Sequence, residues 1–136
     1  MRVVVDTTVF ISSFFGGNPR AVIDLWKTGR LTLCLSQDIL DEYIEVLRRL
    51  GLDSTPELDE LLKLLAAGSH ILFTLRTPEV RVVADPDDDR FIACAMALKA
   101  AYIVTGDKAL LDVRHYEGIQ VVTPRAFLDM VRDPAP

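Results

Sequence analysis

The chain has 136 residues, of which 50% are apolar and 26% are charged, a composition typical of one globular domain with a substantial core. Its 20 acidic residues outnumber its 15 basic ones, for a net charge of −5, which argues against a module that holds nucleic acid by bulk positive charge. Any polyanionic ligand must be met by local basic residues or by a bound metal ion.

Strands and helices alternate along the first half of the chain. In chain order the pattern predicts a strand at 2–6, a helix at 18–29, a strand at 31–36, and helices at 36–51 and 54–68. Asn18 and Ser36 are the predicted N-caps of the first two helices, and Ser54 or Thr55 caps the third. Pro56 suits the first turn of that third helix, and its end is predicted at the glycine of position 68.

The second half repeats the alternation. It contains a predicted helix at about 87–100, strands at 101–107 and 119–124, a short helix at 124–131 and a short tail at 132–136. The segment EVRVVA (79–84) is either an edge strand or a lead-in to the acidic turn. The four clear strands are continuously apolar, which is typical of strands buried on both faces of a parallel sheet. We therefore predict a single α/β domain over residues 1–131, with three α/β/α layers around a mostly parallel sheet of four or five strands.

Two of these strands end in an aspartate. RVVVD ends in Asp6, and AYIVTGD ends in Asp107, with Thr105 two residues before it. Ligands of open α/β sheets bind outside the carboxyl ends of the strands, so both acids are candidate site residues. Either one alone is explained by capping of the helix or turn that follows. The repetition at a second strand is what favours a site.

A cluster of acids opens the helix after residue 84. In ADPDDDRFIACA, four aspartates fall within five positions: Asp85, Asp87, Asp88 and Asp89. A solvated helix N-terminus is sufficient to explain Asp87 and Asp89. Asp88 differs, because helical phase places it at the head of a stripe that faces the sheet, formed by Phe91, Ile92, Ala95, Leu98 and Lys99. Asp88 is therefore the preferred third acid, while Asp85 and Asp89 stay open as alternatives or additions.

The same cluster does not form a calcium loop. Three of its aspartates fit the first acidic positions of an EF-hand, but the sixth position is Arg90 instead of Gly and the twelfth is Met96 instead of Glu. Zinc is equally disfavoured, because His70 and His115 have no partners at zinc-ligand spacing.

The helix SQDILDEYIEVLRRLG offers a fourth acid. Its apolar face is formed by Ile39, Leu40, Tyr43, Val46, Leu47 and Leu50. Asp41 and Glu45 point away from this face, whereas Glu42 lies at its edge. On phase alone, a place for Glu42 in the site and an exposed surface pair with Arg48 or Arg49 are equally supported.

The compartment follows from the cysteines and the N-terminus. Cys34 and Cys94 lie in apolar runs and are expected to be small buried side chains under reducing conditions. The opening MRVVVD lacks the apolar length of a signal peptide, and no window reaches the roughly 20 apolar residues that span a bilayer. A cytoplasmic location is expected.

The candidate acids are Asp6, Glu42, Asp88 and Asp107. If they converge, their like charges raise one another's pKa values unless a cation neutralises them. Oxygen ligands without His or Cys select hard ions such as Mg²⁺ or Mn²⁺, which support phosphodiester hydrolysis. Thr105 could donate its hydroxyl to one of these carboxylates, or could simply pack by its methyl group.

The order of these motifs resembles that of the PIN-domain ribonucleases, and in particular of small bacterial and archaeal PIN proteins that are toxins of toxin–antitoxin systems. The resemblance runs from Arg2 to about Leu128 and is carried by VVVDT, SQDILDEYIEVL, DPDDDRFIACA and YIVTGD. It implies a Rossmann-like sheet, bound Mg²⁺ or Mn²⁺, metal-dependent endonuclease activity on RNA, a cognate antitoxin and a homodimer. The family's acids fall on Asp6, Glu42, Asp88 and Asp107, and its Ser/Thr falls on Thr105.

The chain departs from the family at one position near the first acid. Where the family often has Thr-Asn, this chain has Thr7 and Thr8, so hydrogen-bonding support for the site is expected to be weaker. Of the basic residues, Arg48, Arg49 and Lys108 could meet RNA phosphates, although solvated surface is the commoner role. The amphipathic segments AVIDLW (21–26) and ELLKLLAAG (60–68) could line a dimer or antitoxin interface, or belong to the core.

Two other functions remain open on the sequence. A phosphoacceptor receiver domain also gathers acids around Mg²⁺, but it usually has an adjacent acidic pair after its first strand, where this chain has the single Asp6. A catalytically inactive PIN-like module that binds RNA or protein is the other alternative. The four acids argue against a loss of activity, but the departure at Thr8 keeps this alternative open.

Overall fold

The structure, a computed structural model, describes residues 1–132, which form alternating strands and helices. The strands are β1 (Arg2–Val5), β2 (Thr32–Ser36), β3 (Ile71–Thr74), β4 (Tyr102–Val104), β5 (His115–Tyr116) and β6 (Ile119–Val122). The helices are α1 (Thr7–Ser12), α2 (Gly17–Lys27), α3 (Gln37–Arg49), α4 (Pro56–Ala67), α5 (Asp89–Leu98), α6 (Lys108–Leu111) and α7 (Pro124–Arg132). Short 3₁₀ turns at Ser13–Phe15 and Pro86–Asp88 precede α2 and α5. The predicted tail, apart from Arg132, lies outside the described residues.

A six-stranded sheet forms the centre of this part of the chain, in the order β3-β2-β1-β4-β6-β5. Neighbouring strands are parallel except β5 and β6, which are antiparallel. Helices pack on the sheet in layers, so the predicted three-layer α/β/α domain with a mostly parallel sheet is confirmed. The predicted number of strands was too low, because β3 and β5 lie outside every segment predicted as a strand. None of the helices within residues 1–132 is long and apolar enough to cross a membrane.

The two central strands are buried after their first residues, which explains their apolar sequences. Val3, Val4 and Val5 of β1, and Ile103 and Val104 of β4, have 0% of their surface exposed. Each such side chain stabilises the fold by about 1.5–3 kcal/mol relative to an exposed one. Because β1 and β4 are neighbours, the residues that follow them lie at the middle of one sheet edge.

Most predicted helix boundaries agree with the structure. Ser36 and Thr55 cap α3 and α4 through their side-chain oxygens, and α4 ends at Gly68 in the left-handed conformation, with a φ of 67°. The prediction of Asn18 as an N-cap is wrong, because α2 begins one residue earlier. Pro19 therefore lies in the first turn, where a helix needs no N–H donor.

The segment 79–84 is irregular rather than a strand. Asp89 Oδ1 accepts hydrogen bonds from the backbone N–H groups of Val82 and Val83, at 2.9 and 2.8 Å. A side chain thus satisfies donors that would otherwise need a neighbouring strand. The edge-strand prediction is wrong, and its alternative, a lead-in to the acidic turn, is confirmed.

Both cysteines are buried free thiols, as the sequence predicted. Burial raises the pKa of Cys34 to about 11 and that of Cys94 to about 12. Both thiols are therefore protonated at neutral pH and shielded from solvent.

Candidate active site

Strands β1 and β4 place Asp6 and Thr105 side by side. Val5 and Val104 are register partners in the parallel pair, and Asp6 and Thr105 are the residues that follow them. The N–H of Asp6 donates to the carbonyl of Val104 at 3.0 Å, so the ladder continues one residue past β1. The side chains of Asp6 and Thr105 consequently meet at the carboxyl edge of the sheet.

Asp6 is an almost fully buried carboxylate, with 3% of its surface exposed. Its Oδ1 accepts the N–H of Val9 at 2.8 Å and so caps α1. Its Oδ2 accepts a hydrogen bond from the hydroxyl of Thr105. Burial raises the pKa of Asp6 to about 6, with smaller contributions from the charges of Asp107 and Glu42, although both hydrogen bonds favour the ionised form.

Thr105 connects Asp6, which directly follows β1, with Asp107. The predicted strand end at Asp107 is wrong, because β4 ends at Val104 and Asp107 lies three residues later. It is fully buried, and its hydroxyl donates to Asp6 while accepting the backbone N–H of Asp107 at 2.9 Å. The carboxylate of Asp107 in turn accepts the N–H of Leu110 at 3.2 Å and caps α6. The predicted donation from Thr105 to a carboxylate is therefore present in the structure.

Asp88 approaches the same edge from the start of α5. It is partly exposed, and the charge of Asp107 acts on its carboxyl group. Burial is the largest cause that raises the pKa of Asp88 to about 7, followed by the charge and hydrogen bond of Asp107 and the charges of Asp85 and Asp6. The structure thus brings Asp88 next to the strand-end acids.

The neighbours of Asp88 make different contacts. Asp85 accepts the N–H of Asp87 at 3.0 Å and caps the 3₁₀ turn, while its charge adds to the field at Asp88. Asp89 is occupied by the two backbone N–H groups of segment 79–84. Of the four clustered aspartates, Asp88 is therefore the one whose pKa is raised by the strand-end acids Asp107 and Asp6.

Glu42 lies on α3 and is held by two side chains. Its Oε2 accepts the hydroxyl of Thr7 at 2.7 Å, and Nη1 of Arg90 approaches the same oxygen at 3.7 Å. The alternative surface pair with Arg48 or Arg49 is wrong, because Arg90 of α5 is its ion-pair partner in the described chain. Glu42 therefore lies between α1 and α5, beside the buried carboxylate of β1.

Sequence reasoning missed three residues that shape this region: Thr7, Tyr43 and Arg90. Tyr43 is buried, its hydroxyl donates to the carbonyl of Val5, and its ring stacks on Phe10 with centroids 4.1 Å apart. This bond fixes α3, and with it the adjacent Glu42, against the end of β1. A buried phenol needs a polar partner, so a tyrosine beside a candidate acid was the available signal.

The departure from the family at Thr8 has a local explanation. Thr8 is exposed, whereas Thr7 is 7% exposed and supplies the hydroxyl that binds Glu42. Support for the acidic residues therefore comes from the first threonine of the pair. The structure assigns no hydrogen bond to the Thr8 side chain within residues 1–132.

The acids fit a hard cation by donor type and charge. All the donors are carboxylate or hydroxyl oxygens, which Mg²⁺ and Mn²⁺ select. Burial, with a further contribution from neighbouring carboxylates, raises the pKa values of Asp6 and Asp88, and a bound cation would favour their ionised forms. Within the described chain, however, no three His, Cys, Asp or Glu side chains are grouped as a ready set of metal ligands. The hydroxyl of Thr105 donates to Asp6 and accepts the N–H of Asp107, while Asp88 and Asp107 influence each other through their charges.

Comparisons with known proteins identify the family of this chain. The family model of the PIN domain matches residues 2–109, a range that includes every acid of the candidate site. Uncharacterized protein MJ1680 of Methanocaldococcus jannaschii is 30% identical over 146 aligned residues, which cover 95% of this chain and 90% of the relative. PIN domains are in general nucleases and typically use divalent metal ions. Since the match extends over most of the sequence and over both strand-end acids, this chain belongs to the PIN domain family.

Proposed function

We propose that this protein is a metal-dependent endoribonuclease that hydrolyses phosphodiester bonds in RNA. The buried carboxylate of Asp6 carries the proposal, because it lies among the charges of Glu42, Asp88 and Asp107 and has a pKa of about 6. Such a cluster is unfavourable without a cation. In a nuclease family, a cation held at this edge accounts for both the acids and the chemistry.

Each residue of the candidate site has a separate part in this proposal. Mg²⁺ or Mn²⁺ would be held by Asp6, Glu42, Asp88 and Asp107. The bound ion would supply the positive charge that stabilises negative charge developing on the phosphate. Thr105 orients the carboxylate of Asp6, and Thr7 orients that of Glu42. Asp88, which is partly exposed, is assigned to orient the attacking water.

Cleavage of single-stranded RNA by the purified protein, with added Mn²⁺ or Mg²⁺, tests the proposal. Asp6→Asn and Asp88→Asn are each expected to lower the rate by at least about a hundredfold, because each removes a ligand charge while keeping the shape of the side chain. Asp59→Asn is the matched control, since Asp59 is an exposed acid of α4 outside the cluster. That variant should cleave like the wild type.

Cleavage that persists in excess EDTA, or that survives both site substitutions, contradicts the proposal. A wild type that binds RNA but never cuts it would instead support the inactive PIN-like module. Family membership favours a nuclease over the phosphoacceptor receiver domain. Stable labelling of one aspartate by acetyl phosphate would reverse that preference.

We further propose that the protein is the toxin of a toxin–antitoxin pair, acting on cytoplasmic RNA and inhibited by a cognate antitoxin protein. The likeness of its motifs to small PIN toxins supports this role. A short neighbouring reading frame for a DNA-binding protein, whose product suppresses RNA cleavage when added to the nuclease, is the expected finding. Expression of the chain alone that leaves growth unaffected would contradict the toxin role.

The structure distinguishes the two segments predicted to line a protein interface. In segment 21–26, Val22, Ile23 and Trp26 are buried and belong to the core. In segment 60–68, Leu62 is 41% exposed and lines an apolar cavity with Ile44 of α3. The groove between α3 and α4 is therefore the surface that we propose for an antitoxin or for the second copy of a homodimer.

A further inference from the structure

Arg90 is the basic residue of the described chain that forms an ion pair with an acid of the candidate site. It lies in the first turn of α5, two residues after Asp88. Its Nε donates to the carbonyl of Asp87 at 2.8 Å, which anchors the guanidinium on the acidic turn. The distance of 3.7 Å from Nη1 to Glu42 is an ion-pair distance, longer than a hydrogen bond.

Most of the donors of this guanidinium are unused. An arginine side chain carries five N–H donors, and within residues 1–132 only the Nε–H of Arg90 has a hydrogen-bond acceptor. The Glu42 oxygen nearest to it already accepts the hydroxyl of Thr7. The Arg90 side chain is 30% exposed, so its two terminal nitrogens are available for a bidentate contact with an anion such as phosphate.

The surface next to Arg90 is acidic. Arg90 lines a cavity of about 250 Å³ whose other charged lining residues in the described chain are Asp38, Glu79, Asp87 and Asp89. An RNA strand that reaches the catalytic acids therefore meets negative charge on both sides. Among the described residues that line this cavity, Arg90 is the one with a positive charge, while Arg81 outside the lining pairs with Glu79.

We propose that Arg90 binds a phosphate group of the RNA that is adjacent to the phosphate being cut. This assignment rests on the proposed ribonuclease function and adds a substrate-binding residue outside the metal-binding acids. In the free protein, Arg90 pairs with Glu42 through a long contact. On RNA binding, its terminal nitrogens turn to the phosphate while Nε keeps its bond to the acidic turn.

The experiment compares steady-state cleavage of a fluorogenic single-stranded RNA of about 12 nucleotides by four proteins, at about 50 to 200 mM KCl in Mn²⁺. The proteins are the wild type, Arg90→Gln, Arg90→Lys and the control Arg30→Gln. Arg30 is an exposed arginine in the loop before β2, at the opposite edge of the sheet. The control therefore loses the same charge far from the acids. Thermal unfolding of all four shows whether each is folded.

Arg90→Gln is expected to lower kcat/KM about tenfold, mainly through a higher KM, because one charge-assisted contact to the substrate is lost. The slope of log kcat/KM against log salt should become shallower by about 0.7, the value for one phosphate contact on a single strand. Arg90→Lys should keep that slope, since it keeps the charge, while losing part of the affinity. Arg30→Gln should match the wild type in both quantities.

Two results would overturn the assignment. If Arg90→Gln lowers kcat while KM and the salt slope stay unchanged, Arg90 acts by positioning Glu42 and does not contact RNA. If Arg90→Gln and Arg30→Gln behave alike, Arg90 has no special place in binding. A wild type that cleaves no RNA with either metal refutes the ribonuclease function itself, and the assignment with it, whereas both results above leave that function intact.

Discussion

Four strands of the described sheet lead, within three residues, to a residue that caps the following helix, and only two of these caps are charged. After β2 and β6, the hydroxyl oxygens of Ser36 and Thr123 accept a backbone N–H at 3.2 and 3.1 Å. After β1 and β4, carboxylate oxygens of Asp6 and Asp107 accept the equivalent N–H at 2.8 and 3.2 Å. The backbone requirement is the same at all four ends.

The difference shows that capping does not explain the acids. Ser36 is 2% exposed and Asp6 is 3% exposed, so the two caps are almost equally buried. The hydroxyl of Ser36 nevertheless supplies the hydrogen bond that its helix needs without burying a charge. The carboxylates occur at β1 and β4, which are neighbours, and each lies in the field of another acid. The caps therefore do not require their charge, and substitutions can separate the charge from the capping bond.

The largest expected effect is a gain in stability for Asp6→Asn without metal. Asparagine keeps the cap but removes a charge whose folded-state pKa is about 6, against an unperturbed 3.8. Between these values the native carboxyl holds a proton that the unfolded chain has lost, so wild-type stability falls as the pH rises through this range. In EDTA at about pH 8 the variant should be more stable by about 3 kcal/mol.

Urea denaturation at about pH 8 and about pH 4 measures this difference, which should nearly vanish at the lower pH because the wild-type carboxyl is then protonated in the native state. A variant that is less stable than the wild type at both pH values would mean that Asp6 is needed chiefly as a cap, like Ser36.

Thr105→Val is expected to have the next largest effect, a loss of about 2 kcal/mol in the free energy of unfolding. The valine keeps the shape but leaves Asp6 without its hydroxyl donor and the N–H of Asp107 without an acceptor. Thr32→Val is the control, because the structure assigns no side-chain hydrogen bond to Thr32 within the described residues, and its effect should stay within about 0.5 kcal/mol. Equal losses of unfolding free energy in the two variants would show that the hydrogen bonds of the Thr105 hydroxyl do not stabilise the fold.

Ser36→Ala should have the smallest effect, a loss of about 1 kcal/mol in the free energy of unfolding through the missing cap of α3. RNA cleavage, measured well below the unfolding temperature, should remain at the wild-type rate because the variant leaves every acid in place. A strong fall in cleavage would mean that the neutral caps also belong to the site. The proposed difference between neutral and charged caps would then be wrong.

The acids at the strand ends were predictable because topology alone brings them together. Neighbouring parallel strands end at the same edge, so Asp6 and Asp107 needed only the correct order of elements. Asp88 was selected by helical phase, although α5 begins one residue later and Asp88 itself ends a 3₁₀ turn. Of the predicted stripe, Phe91, Ile92 and Ala95 are buried, whereas Leu98 is half-buried and Lys99 is exposed at the C-cap of α5, so the stripe holds only for the first part of the helix.

Other features depend on contacts that no local pattern carries. The pairing of Glu42 with Arg90 joins two helices 48 positions apart in the sequence, so helix geometry pointed only to Arg48 and Arg49. Helices α1 and α6 have six and four residues, too few to show a period. Leu50, predicted on the apolar face of α3, is 55% exposed because it lies beyond the last turn.

The burial of the two native thiols makes this protein convenient to label. Because Cys34 and Cys94 are shielded and protonated at neutral pH, a maleimide dye should react first with a cysteine introduced on the surface. Position Lys108 is exposed and follows Asp107. A dye attached there would lie next to the acids at the carboxyl edge of the sheet. The arrival and departure of a nucleic acid strand could then be followed by fluorescence in a chain that keeps its own cysteines.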